Sequence, residues 1–296
     1  MSRNTLKTFT LLAFLGGLLV LIGQLLGGLG GAVVGLAIGL ALVGGSYWCS
    51  DRIAIRAARA TPLTESEAPD LHSIVRDLAH RAGIPTPRIY LSPASQPNAF
   101  ATGRNEHHAV VAVTRGLLER LTPDEVRGVL AHEMAHIANR DILIGSVAAA
   151  IATGISMIAN LAAFSAMFGG DDDEHSPGPV AVLVAALVAP IAASLLQLAL
   201  SRSREFEADR VGARLVGDGA PLASALAKLE VTARRTPMAI NPAQSSQYIV
   251  NPLAGSGQSL SHLFLTHPPT AQRIARLQAF SPSSLPSQDE GEHVGR

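Results

Sequence analysis

From Thr8 to Ser50 the chain carries no charged residue. Two apolar runs, 8–23 and 25–45, fill most of that stretch. At about 20 residues per crossing they can pass through a bilayer twice. A tight turn near Gly27–Gly31 is the expected junction. Gly27, Gly31, Gly35 and Gly39 recur every fourth residue. That spacing puts them on one helix face, a surface of small residues on which a second helix packs closely. A flexible glycine linker is excluded by the Leu, Val and Ile between them. No small-residue cleavage site with a polar start follows, which argues against a removable signal.

Two more apolar runs lie at 142–168 and 179–200, with the acidic loop 171–174 between them. They read as two further crossings or as a hairpin buried against the rest of the protein. Basic residues orient the chain. Arg3 and Lys7 precede the first run, and Arg52, Arg56 and Arg59 follow the second. Arg140 precedes the third run, and Arg202 and Arg204 follow the fourth. If every run crosses, all of these lie on one side. Residues 50–141 and 201–296 are then cytoplasmic, and Tyr47 and Trp48 sit at the interface as anchors. Hydrophobic residues make up 48% and charged residues 16%, too apolar for an ordinary soluble protein. The formal net charge is zero, which argues against a nucleic-acid partner. Cys49 is the only cysteine, so a metal site must use His and carboxylates.

The polar portion shows regular patterns. Leu71, Ile74, Val75, Leu78 and Ala82 follow a helical period within 69–82, which Gly83 and Pro85 end. Segments 88–92, 98–103 and 109–114 read as three short strands. Residues 115–121 form a short helix. Thr122, Pro123 and Glu125 are then an N-cap, an N1 proline and the acid of a capping box, so a helix of about four turns starts at Pro123.

That helix contains "HEMAH", residues 132–136. His132 and His136, four apart, share one face and converge on a single ion. Glu133 reaches a metal-bound water without ligating the ion. A catalytic zinc takes three protein ligands and leaves one position open. His107 and His108 precede a strand and face solvent, and Asp171 to His175 lie in the acidic loop across the membrane if the runs cross. The stretch "SRSREFEADR", 201–210, supplies the better candidates. Glu205 and Asp209 share a helix face, whereas Glu207 is rotated by about 200° from Glu205. A buried carboxylate must be paired or bind a metal. Glu205 as ligand meets that need. Asp209 can accept the spare N–H of an imidazole and fix its tautomer. Asn139, three residues beyond His136, shares the ligand face and braces the helix.

"HEMAHIANRD" followed by "SRSREFEADRVGARL" resembles the HtpX-like membrane zinc metalloproteases, in the superfamily that includes the CaaX prenyl proteases. "NAFATG" (98–103) and "HPPTAQRIARL" (267–277) match that family in order and spacing. The resemblance covers most of 5–280 and excludes the tail 281–296. It implies a mainly α membrane protein with a gluzincin-like zinc protease domain, a small three-stranded β-sheet and about four transmembrane or membrane-associated helices. The expected divisions are two N-terminal transmembrane helices (1–50), the first catalytic part (51–141), two apolar helices with the acidic loop (142–200), the second catalytic part (201–280) and a disordered tail (281–296).

The resemblance implies one zinc per chain on His132, His136 and Glu205. Glu133 is then the general base of a peptidase acting on proteins, membrane proteins among them, in quality control at a bacterial plasma membrane. It makes Asn98, Ala99, Phe100 and Ala101 an edge that pairs with substrate. It also makes His267 and Arg273 candidates for stabilising the oxyanion. Residues 236–262 read as a loop near the cleft. A metal-dependent hydrolase of another membrane substrate is the alternative. A transporter is disfavoured because no apolar run contains an ionisable residue.

Overall fold

The computed structural model describes residues 3–143, 202–235, 249 and 268–280. Nearly all of the runs 142–168 and 179–200 lie outside these residues, as do the acidic loop, His267, the tail and all of 236–262 except Ile249.

Helix α1 spans Arg3–Ala57 without a gap at the expected turn. Gly28 nevertheless has φ of +58°, inside Gly27–Gly31. A left-handed residue breaks the regular dihedrals of a right-handed helix, and glycine adopts it at no steric cost. Gly35 and Gly39 are buried while Val33, Val34, Leu36, Ile38 and Leu40 are exposed. These small glycines are covered, while the aliphatic side chains around them face outward. Among the described residues no helix is long and apolar enough to cross a membrane.

The sheet corrects the expected strand number. It has four strands in the order β1-β2-β4-β3: β1 (Thr61–Pro62), β2 (Arg88–Ser92), β3 (Ala99–Thr102) and β4 (Val110–Thr114). β2 and β4 are parallel, and β1 and β3 are antiparallel to their neighbours. A two-residue strand shows no alternation to read, and Pro62 lacks a donor and is tolerated at the edge. All five residues of β4 are buried, as befits a strand covered on both faces. Phe100 and Ala112 meet Ala54 and Ala58 at the end of α1. Ala99, Val111 and Val113 point the other way, into the main core.

That core is built by the helices. α2 (Pro69–Arg81) begins at a proline and buries Leu71, Val75, Leu78 and Ala79. α3 (Arg115–Arg120) is short and capped by Thr114. α4 (Pro123–Ala138) starts with the expected capping box, both hydrogen bonds of which form between Thr122 and Glu125. α5 (Arg202–Val216), α6 (Ala220–Arg235) and α7 (Thr270–Gln278) follow. α4 is central, packed on α5, α6, α2 and β3. Val129, Leu130, Met134 and Ile137 of α4 share one core with Ala213, Leu226, Leu229 and Leu277.

Two contacts set the position of α4. A Cβ on Gly212 would lie 2.9 Å from the backbone nitrogen of His132, so α5 lies against the ligand-bearing turn. Glu125 also accepts hydrogen bonds from Ser224 (2.6 Å) and Lys228 (2.8 Å), tying the start of α4 to α6.

Candidate metal centre

The caps of α4 place His132 and His136 on adjacent turns, one above the other. α5 brings Glu205 to meet them. Among the described residues, these three form one group of metal-ligating side chains whose donor atoms all lie within 4.8 Å of one another. The Nε2 atoms of His132 and His136 are 3.1 Å apart. Glu205 Oε1 is 3.5 Å from His136 Nε2, and Glu205 Oε2 is 3.9 Å from His132 Nε2. A tetrahedral ion with ligand bonds of about 2.0–2.1 Å has ligand–ligand edges of about 3.3 Å. The observed spacings lie around that edge, so the donor set suits a small tetrahedral cation.

Each imidazole also faces a carboxylate on its other nitrogen. His132 Nδ1 is 2.9 Å from Asp209 Oδ1. Asp209 is held in turn by buried Arg273, whose Nε and Nη2 donate to its two oxygens at 2.8 and 2.7 Å. Burial raises the Asp209 pKa, but the Arg273 guanidinium and the His132 contact outweigh it and bring it to about 2. His136 Nδ1 lies 3.2 Å from Asp141 Oδ2. Burial pulls the pKa of the free His136 imidazole down. The Asp141 hydrogen bond and the charges of Glu205, Glu133 and Asp141 prevail and raise it to about 9.

Glu133 is 3% exposed, on the turn between the two histidines. Burial pushes its pKa up, with Glu205 adding to the rise and His132, His136 and the Ala101 backbone N–H opposing it. That last hydrogen bond places β3 beside the site. β3 is the edge strand of the sheet, and Asn98, Ala99 and Phe100 are buried. The outward groups of its first half have partners within the chain. The Ala99 N–H donates to Asn98 Oδ1 at 3.1 Å. The Ala99 carbonyl accepts from the Ile249 N–H at 3.2 Å. The Ile249 carbonyl accepts from Arg273 Nη1 at 2.9 Å.

The remaining sequence candidates fall as follows. Asn139 is the C-cap of α4, with its N–H bonded back to the Ala135 carbonyl. His107 and His108 form an exposed 3-10 turn in which His108 contacts Asn105 and Arg104. Glu207 turns away from the site and binds Arg210. Sequence reasoning missed Asp141, Arg204 and Ile249. In a continued helix Asp141 would be rotated by about 140° from His136. Arg140 instead has φ of +59°, and this left-handed residue turns Asp141 back toward the ring. Glycine at 140 would have signalled such a turn; arginine does not.

The family model for peptidase family M48 matches residues 65–281, which include His132, Glu133, His136, Asp141, Glu205, Asp209 and Arg273. The chain belongs to peptidase family M48. It is 52% identical over 281 residues to a Protease HtpX homolog of Pelotomaculum thermopropionicum, covering 94% of this chain and 99% of that protein. It is 48% identical over 278 residues to a Protease HtpX homolog of Syntrophobacter fumaroxidans, covering 92% and 98%. A third such homolog, from Desulfatibacillum aliphaticivorans, is 45% identical across 99% of this chain and 95% of its own length. The crystal structure of S. mikatae Ste24p shares the fold, with a TM-score of 0.50 at 21% identity. The alignment covers 92% of this chain and 65% of the Ste24p chain. M48 membership makes peptide-bond hydrolysis the class of activity and a metal the expected cofactor of the three-ligand cluster.

Proposed function

We propose that the chain is a membrane-anchored zinc endopeptidase. The observation that carries the reading is the spacing of His132, His136 and Glu205, with buried Glu133 beside them. Zinc would be held by those three side chains, one ion per chain. Two imidazoles and a carboxylate, without thiolate, are the donor set of peptidase zinc sites. When bound, the ion supplies Lewis acidity at the scissile carbonyl and acidifies a water.

The protein residues carry the rest. Glu133 takes a proton from the attacking water and delivers it to the leaving amine. Its raised pKa makes it a stronger base for the first of these steps. Asp209, held by Arg273, fixes the His132 tautomer. Asn139 braces the end of the ligand helix. Arg273 acts through Asp209, with its guanidinium donating to both carboxylate oxygens. His267, immediately before Pro268, is the proposed oxyanion donor. An extended substrate pairs with the Asn98–Ala101 edge by backbone hydrogen bonds.

The substrates proposed are misfolded or damaged membrane proteins, in quality control at a bacterial plasma membrane. The apolar runs anchor the chain in the bilayer, with its catalytic residues cytoplasmic. The relatives named Protease HtpX homolog support this reading at about half identity over nearly the full length.

The test is a cleavage assay on zinc-loaded protein together with metal analysis. Glu133→Gln is expected to keep its zinc and lose cleavage. Full activity in Glu133→Gln would refute the assignment of the base. Undiminished zinc in Glu205→Ala would move the third ligand elsewhere. His267→Ala is expected to lower kcat by roughly a hundredfold or more, as loss of one oxyanion donor does.

A further inference from the structure

His132 and His136 are both braced by a carboxylate, but only the Asp209 brace on His132 follows from the helix face that carries Glu205. On the other side, Asp141 is 7% exposed and lies 3.2 Å from His136 Nδ1. Arg204 stands behind it, with Nη1 3.8 Å from Asp141 Oδ1 and a side chain only 13% exposed. Among the described residues, neither terminal nitrogen of Arg204 has a hydrogen-bond partner. A guanidinium held out of water in this way costs free energy unless a nearby negative charge offsets it.

We propose that Asp141 and Arg204 form a second brace for the metal centre. Asp141 accepts the Nδ1–H of His136, and Arg204 holds Asp141 from α5. The pattern matches Arg273–Asp209–His132, with elements exchanged. There the carboxylate lies on α5 and the arginine on α7. Here the carboxylate follows α4 and the arginine lies on α5. Every imidazole in the donor set then has its tautomer fixed, leaving Nε2 unprotonated and directed at the ion. The second brace is the looser one, because Arg204 meets Asp141 as an ion pair rather than through a bidentate fork. Arg204 therefore acts by charge and position, and lysine should replace it in part.

The inference rests on the proposed zinc site, and its test separates the two. Zinc affinity of the full-length protein is measured by chelator competition. Asp141→Ala is expected to weaken binding roughly tenfold to a hundredfold, the usual effect of removing such a partner. Asp141→Asn keeps an acceptor for Nδ1–H and should weaken it less, which also covers the case that the alanine variant fails to fold. Arg204→Ala should weaken binding, and Arg204→Lys should recover part of the loss. In the Asp141→Ala background, Arg204→Ala should cost nothing further.

A second readout is the proton spectrum of the cobalt-loaded protein. Two shifted, exchangeable imidazole N–H signals are expected in the wild type, and one should be lost in Asp141→Ala. A wild type that holds no zinc would overturn the metal centre and the brace together. A wild type that holds zinc, with unchanged affinity and both signals kept in Asp141→Ala, would overturn the brace alone. Additive losses in the double variant would show that Arg204 does not act through Asp141.

Discussion

At the scale of single residues, the site is governed by buried charges that have partners. Arg273 is 1% exposed and Asp209 3%. Breaking such a pair leaves one ion uncompensated, at a cost of about 3–5 kcal/mol. Arg273→Met is therefore expected to destabilise the fold by that order in chemical denaturation, and Arg273→Met with Asp209→Leu to recover much of it. A loss confined to activity, with unchanged stability, would contradict this. The residues of the candidate metal cluster were legible in the sequence because they obey one rule: residues four apart on a helix share a face. His132 with His136 and Glu205 with Asp209 both follow it. Asp141 does not, because its approach to His136 depends on the left-handed dihedral angles of Arg140, which an arginine does not announce.

At the scale of elements, two junctions hold the ligand helix. The first is the capping box. Burial would raise the Glu125 pKa, but hydrogen bonds from Lys228, Ser224 and the Thr122 backbone outweigh it and hold it below 4.5. A carboxylate with a depressed folded-state pKa stabilises the fold fully above its unfolded value. That contribution is lost as the pH falls from about 4.5 through the lower folded value. Glu125→Gln should therefore flatten the stability profile in that acid range, and Thr122→Ala should cost about 1 kcal/mol at any pH. The second junction is Gly212. A methyl there meets the backbone of His132 rather than a flexible side chain, so Gly212→Ala must move α5 off α4. The expected result is weaker zinc binding in metal titration, with secondary structure retained by circular dichroism. Helices α2 to α5 and three of the strands could be read in advance from periodicity and caps, whereas α6 and α7 were not anticipated. The fourth strand could not, because two residues hold no pattern.

At the scale of the whole molecule, the three proposed ligands come from chain segments separated by the run 142–200. An ion that binds all three binds only the folded chain, so loading stabilises the fold by mass action. At free zinc about a hundredfold above Kd, the gain is about 2.7 kcal/mol. Chelation should lower the melting temperature of the wild type. The same treatment should leave Glu205→Ala unchanged, which a thermal melt with and without chelator checks. The family was legible from the joint order of its motifs. The number of membrane crossings was not settled by pattern, since a long Ala- and Gly-rich run fits a buried hairpin as well as a span.

The backbone of Ile249 has a consequence for catalysis under the proposed function. Residue 249 sits on the β3 edge as a tethered rival to any incoming strand. A rival on the same chain is present at a fixed effective concentration, however dilute the enzyme. The affinity seen by a substrate is then its intrinsic affinity scaled by the fraction of time residue 249 has left the edge. Short peptides, with few backbone bonds to offer, pay this penalty in full, whereas a long unfolded segment can recover it along the strand. Any preference for long extended chains would then arise from competition within the molecule, before any side chain of the substrate is recognised.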